Sequence, residues 1–235
     1  MDLPPQPPPD VPAPPPGPES IRSRKIMKWI LWLGGVSMIF IIGIFISRAL
    51  IPGHSPAPRR EAISNVRQIG LQLFAFEKNY GRFPDASTIP TVQAKTSTTL
   101  VLGNSSSNQL FRQLLATGTN DERIFWAKTS TSRYRPDNVL AEKTLVPGEC
   151  SFTYIAGLTS TSHPDAPMLM TPVIPGTRKF DPKPFGGKAV VFFLDSSAYA
   201  LPIDKNGDVI LNGMNLFDPR QPFWNGKAPD IKYPE

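Results

Sequence analysis

REAISNVRQIGLQLFAFEKNY, residues 60–80, is the stretch whose reading decides the fold. Ile63, Val66, Ile69, Gly70, Leu73, Phe74 and Tyr80 recur at helical spacing and form one stripe, while Glu61, Asn65, Arg67, Gln68, Gln72 and Lys78 cover the other faces. An amphipathic helix is expected here. Gly81 follows at the position where a left-handed residue closes a helix, and Pro84 prevents the helix from resuming. A stripe of this kind needs an apolar partner, and a sheet downstream supplies one.

Strands are expected at Ile124–Ala127, Ser151–Ile155, Met168–Met170, Lys188–Leu194 and Ala198–Leu201. Val190 to Leu194 is apolar without interruption, as for a central strand covered on both faces. Asp195-Ser196-Ser197 reads as the hairpin turn joining the last two strands. A second helix is expected at Asn108–Thr117 with Ser107 as N-cap, and the Ser/Thr-rich stretches 91–107 and 129–133 read as loop. A helix followed by a mostly antiparallel sheet is an α+β arrangement.

Upstream lies WILWLGGVSMIFIIGIFIS, Trp29 to Ser47, nineteen residues without a charge. At about 1.5 Å per residue this run matches the hydrocarbon thickness of about 30 Å. Trp29 and Trp32 suit an interface, and the dense basic group Arg22, Arg24, Lys25 and Lys28 favours a cytoplasmic N-terminus with the C-terminal domain periplasmic. The run is longer than a signal-peptide core and lacks a small-residue cleavage site, so a retained single-pass anchor in the lipid bilayer is expected. Gly34, Gly35 and Gly43 permit close helix approach, and Gly43-x-x-x-Ser47 has the small-xxx-small spacing that would allow a homo-oligomer through this segment. The expected organisation is a disordered proline-rich cytoplasmic tail at 1–25, a transmembrane helix at 26–51, a proline-rich linker at 52–60 and one extracytoplasmic domain at 61–235. Both a stiff spacer and a docking strip for an aromatic groove fit the tail.

The motif Asn65-x-x-Gln68-Ile-Gly70-Leu-x-Leu, then Tyr80-Gly81-Arg82-Phe83-Pro84, resembles the pilin-like proteins related to type II secretion pseudopilins. Ser151–Leu158, then Pro164-Asp-Ala-Pro167, and the closing segment Gly186–Tyr199 around Asp195 are similar to the second half of such domains, so the resemblance covers about residues 60–201. It implies a pilin-like fold and a structural or interaction role among other proteins of a bacterial envelope or secretion-related assembly. The glycine before Phe-Thr-Leu-Ile-Glu that marks prepilin processing is absent from the start of the apolar run, so the resemblance does not carry processing or filament assembly.

Chemistry-bearing residues are few. A net charge of +6 and a pI near 9.5 fit nucleic acid or anionic lipid, but the scattered basic residues argue against nucleic acid. Cys150 is the sole cysteine and reads as a buried small hydrophobe; His54 and His163 read as solvated. No nucleophile elbow, phosphate loop or metalloprotease motif is present, so a non-catalytic protein without cofactors is expected. Asp204, Asn206 and Asp208 around Gly207 could offer oxygens to calcium, but the EF-hand spacing and terminal glutamate are missing and Asn206-Gly207 is a strong hairpin turn, the preferred reading. Phe217, Phe223 and Trp224 are expected to pin the Asp/Asn/Pro/Gly-rich C-terminal segment onto the domain. The rival to a structural module is a ligand-sensing domain that signals through the proline-rich tail.

Overall fold

The computed structural model describes residues 56–140 and 143–235. It opens on α1 (Pro56–Tyr80), followed by α2 (Ile89–Thr96), α3 (Ser107–Ala116) and a 3-10 helix at Glu122–Phe125. The strands are β1 (Thr153–Ala156), β2 (Pro167–Thr171), β3 (Lys188–Phe193), β4 (Ala198–Pro202), β5 (Ile210–Leu211), β6 (Met214–Asn215) and β7 (Asp230–Lys232). Five strands form one antiparallel sheet in the order β4-β3-β2-β1-β7, and β5 and β6 form a separate ribbon.

Alternation along β3 explains the layering. Val190 and Phe192 face the helices, with Ala62, Val66, Ile69 and Leu73 of α1, whereas Ala189, Val191 and Phe193 face Val209, Phe217, Phe223 and Trp224. Both faces are therefore covered. A bulge between Pro167 and Leu169 shifts the register of β2 against β3, and Met168 and Leu169 both join the helix-side core.

The helix seats on the sheet through three devices. Gly70 lies where an added Cβ would overlap the ring of Phe192. The buried Asn65 donates Nδ2–H to the carbonyls of Trp126 (2.8 Å) and Arg123 (3.4 Å), tying α1 to the 3-10 helix. The buried Tyr154 donates its hydroxyl to the carbonyl of Pro84 at 3.1 Å, tying β1 to the turn after α1.

The expected architecture, a transmembrane helix leading into a pilin-like domain, is corrected. Among the described residues no helix is long and apolar enough to cross a membrane, and the fold is α+β with three α-helices and the five-stranded antiparallel sheet. The apolar run with Trp29, Trp32, Gly34, Gly35, Gly43 and Ser47 lies outside the described residues.

Local departures have physical causes. Of the expected linker 52–60, residues from Pro56 onward are helical, because Pro56 and Pro58 fall in the first turn, where backbone N–H groups need no partner. Ile124–Ala127 is no strand: Asp121 caps Arg123 N–H and the chain coils into a 3-10 turn instead. Part of the expected loop 91–107 is α2, entered through Asp85, which accepts the N–H groups of Ser87 and Thr88, with Pro90 in its first turn. Ser106 rather than Ser107 caps α3, accepting from Gln109 N–H.

Removing the Asn65 amide strands two carbonyls at a buried junction. Asn65→Ala is expected to cost about 1–3 kcal/mol, and Asn65→Asp more, because it sets acceptors against acceptors; urea unfolding of the variants measures both.

Candidate functional site

The residues that carry the pseudopilin resemblance are mostly absorbed by the fold. Beyond Asn65 and Gly70, Gly81 adopts φ +82° and donates its N–H to Glu77 O at 2.7 Å, closing α1. Phe83 packs edge-on to Phe74 at 5.4 Å, and Tyr80 stacks on Phe76 at 4.4 Å with Lys95 Nζ 4.9 Å from its ring centre. Pro84 supplies the carbonyl held by Tyr154. Asp195 Oδ1 accepts Ser197 N–H at 2.8 Å while Ser196 takes φ +69°, which shapes the β3–β4 turn. Gln68 is exposed, its amide reaching Ser64 Oγ at 3.3 Å.

The other candidates do not converge. Asp204 Oδ1 accepts the N–H groups of Asn206 and Asp208, each at 2.8 Å, and these amides hold its carboxyl below the usual carboxylate range. Asp208 binds Lys179 Nζ (2.6 and 2.8 Å) and Asn215 Nδ2 (2.7 Å). The carboxylates that calcium would need thus cap a turn and an ion pair, and no group of three His, Cys, Asp or Glu suited to a metal occurs among the described residues. His163 Nδ1 accepts from Asp165 N–H at 3.2 Å, its half-exposed ring 6.5 Å from that of Phe223. It borders a cleft of about 270 Å³ with Ser162, Phe223, Trp224 and Lys227. His54 lies outside the described residues. Cys150 is fully buried, its Sγ 3.7 Å from both Phe152 O and Ser107 Oγ, and burial pushes the thiol up to about 11.

One buried ionisable group gave no signal in the sequence. Glu122, 1% exposed, accepts Leu145 N–H at Oε1 (2.8 Å), and its Oε2 has no hydrogen-bond partner among the described residues. Desolvation pushes its carboxyl up, and the nearby Glu149 and Asp137 charges add to the rise. Glu149, also pushed up by desolvation, accepts Val146 N–H at 2.9 Å. Asn108 and Arg112 of α3 donate to the Leu145 carbonyl at 3.0 and 3.1 Å, so Glu122 and α3 together hold the segment 144–149. Asp121-Glu122-Arg123 matches no motif in the sequence that would single out its central carboxylate.

Among the described residues, two surfaces stand out as uncovered. The bonds Phe193 N–H to Ser197 O and Ile203 N–H to Gly187 O fix the β3–β4 pairing, so Ala198 and Ala200 direct their N–H and C=O groups away from β3. Among the described residues no strand pairs with that outer edge, and Tyr199 is 56% exposed. The second surface is the outward face of α1, where Leu71 is 68% exposed and Arg60, Ser64 and Arg67 border a shallow groove of about 410 Å³.

No protein-family model, no curated protein and no solved structure matches this chain. Nothing in these comparisons points to a pilin-like family.

The raised carboxyl of Glu122 sets a sign. Its ionised form destabilises the fold above the folded-state pKa, and that cost disappears as pH falls through it. Glu122→Gln is therefore expected to unfold at a higher temperature than wild type at neutral pH, with the gap closing on acidification; thermal melts across pH read it directly.

Proposed function

We propose that this chain is a non-catalytic interaction module of a membrane-bound envelope assembly, and that it engages an extended segment of a protein partner along the outer edge of β4. The observation that carries the reading is the contrast between the two sheet edges. β7 carries the charged residues Asp230 and Lys232, which discourage strand addition. β4 carries no charge between Asp195 and Asp204, and its outward N–H groups belong to Ala198 and Ala200, beside which a second backbone fits before Pro202 ends the strand. Strand addition satisfies such groups and takes its specificity from alternate side chains, here Tyr199 and Leu201. The uncharged run 29–47 supports attachment to a bilayer with the domain on the periplasmic side.

Ala200→Pro separates folding from binding. The N–H it deletes points away from β3, a position where an edge strand tolerates proline. In the full chain, a photo-crosslinking p-benzoylphenylalanine in place of Tyr199 is expected to capture an envelope protein, and Ala200→Pro to abolish the capture with little change in melting temperature. Capture that survives Ala200→Pro, or no capture at all, contradicts edge pairing. Deleting 29–47 is expected to release the protein from carbonate-washed membranes, and a wild-type chain washed off by carbonate contradicts the attachment.

A further inference from the structure

We infer that the outward face of α1 lies flat against an anionic lipid surface. Residues 60, 64, 67, 71, 75 and 78 follow one another at spacings of four or three, which places them on a single line along the helix, about 27 Å long at 1.5 Å per residue. The sequence along that line is Arg60, Ser64, Arg67, Leu71, Ala75 and Lys78. Every charge on it is positive, and no carboxylate pairs with any of the three among the described residues.

The flanking acids are occupied elsewhere: Glu61 pairs with Arg135 at 3.2 Å, and Glu77 accepts Ser160 N–H at 2.8 Å. Leu71 stands near the middle of the line and is 68% exposed, an apolar side chain that can enter the headgroup region while the cations meet phosphates. Each Lys or Arg near an anionic leaflet strengthens attachment by about fivefold, so three give about a hundredfold, screened by salt.

Reach is consistent with this. Residues 48–55 alone separate the end of the apolar run from Pro56, and a chain of that length extends no further than about 30 Å. The inference rests on the membrane attachment proposed above, but it adds an orientation: α1 lies along the bilayer surface rather than standing on it.

The test uses the full chain with Ser64→Cys carrying a fluorophore. The native Cys150 is buried, so labelling is selective. Ala228→Cys, exposed in the segment between Trp224 and β7, serves as the control. The protein is bound to vesicles of phosphatidylcholine with or without phosphatidylglycerol, each doped with a headgroup spin label. Quenching is expected at position 64 only when phosphatidylglycerol is present. It should be lost in high salt and in the Arg60→Glu, Arg67→Glu pair, and be absent at position 228. Vesicle-bound protein whose position-64 label is quenched equally without phosphatidylglycerol, or not at all, overturns the docking and leaves attachment standing. Concentration-dependent self-quenching in place of lipid quenching assigns the face to a second copy and also overturns it. Failure to bind vesicles of either composition overturns attachment and docking together.

Discussion

The ring of Phe192 fills a space that only glycine at position 70 leaves open, and this contact sets how closely α1 approaches the sheet. Phe192 is on β3, the second strand of the five-stranded order and bonded on both sides, so it cannot withdraw without disturbing β2 and β4. With the helix held there, Val66, Ile69 and Leu73 reach the sheet and are fully buried. Asn65 then meets the carbonyls of Arg123 and Trp126, and the turn after α1 comes within reach of Tyr154. A glycine inside a helix costs about 1 kcal/mol of intrinsic propensity, and the close packing it permits offsets that cost.

The residues most visible in the sequence are visible because they serve this junction. The stripe of α1 was legible because 3.6-residue spacing persists over six turns, and β3 because a short uninterrupted apolar run of Val and Phe suits a strand covered on both faces. The turn at Asp195 was legible because its side chain caps the backbone two residues on. What escaped was decided by distant partners. The helix at Ile89–Thr96 is held at its start by Thr88 hydrogen-bonded to the buried Gln113, twenty-five residues away. The short run Ile124–Ala127 has the composition of a strand, yet Asp121 and Asn65 fix it as a 3-10 turn. β7 carries charged residues and reads as loop until its pairing with β1 is known. The start of α1 was misplaced because prolines that end a helix at its interior are compatible with its first turn.

The same division holds for function. The sequence offered calcium ligands and a solvated histidine; in the fold two of those ligands are used to shape a turn and an ion pair, and Glu122, whose buried Oε2 has no partner among the described residues, had no sequence signature. The outer edge of β4 and the outward line of α1 lie on opposite flanks of the distinction between local pattern and assembled surface. The cations of α1 are readable from periodicity alone, whereas the edge exists only once strand order is known. Seated on the sheet by these contacts, α1 presents its outward line beside the edge of β4, the two surfaces that the proposed interaction module would use.

The most direct measurement of the central contact is a double-mutant cycle between Gly70→Ala and Phe192→Leu, read by urea unfolding. Gly70→Ala alone is expected to destabilise by about 1–3 kcal/mol despite its better helix propensity. In the Phe192→Leu background the smaller side chain makes room for the methyl group, and most of that penalty should vanish. The coupling should then exceed about 0.5 kcal/mol, the limit within which independent sites add. Additive effects, or a Gly70→Ala variant more stable than wild type, would contradict the account that this contact seats α1 on the sheet.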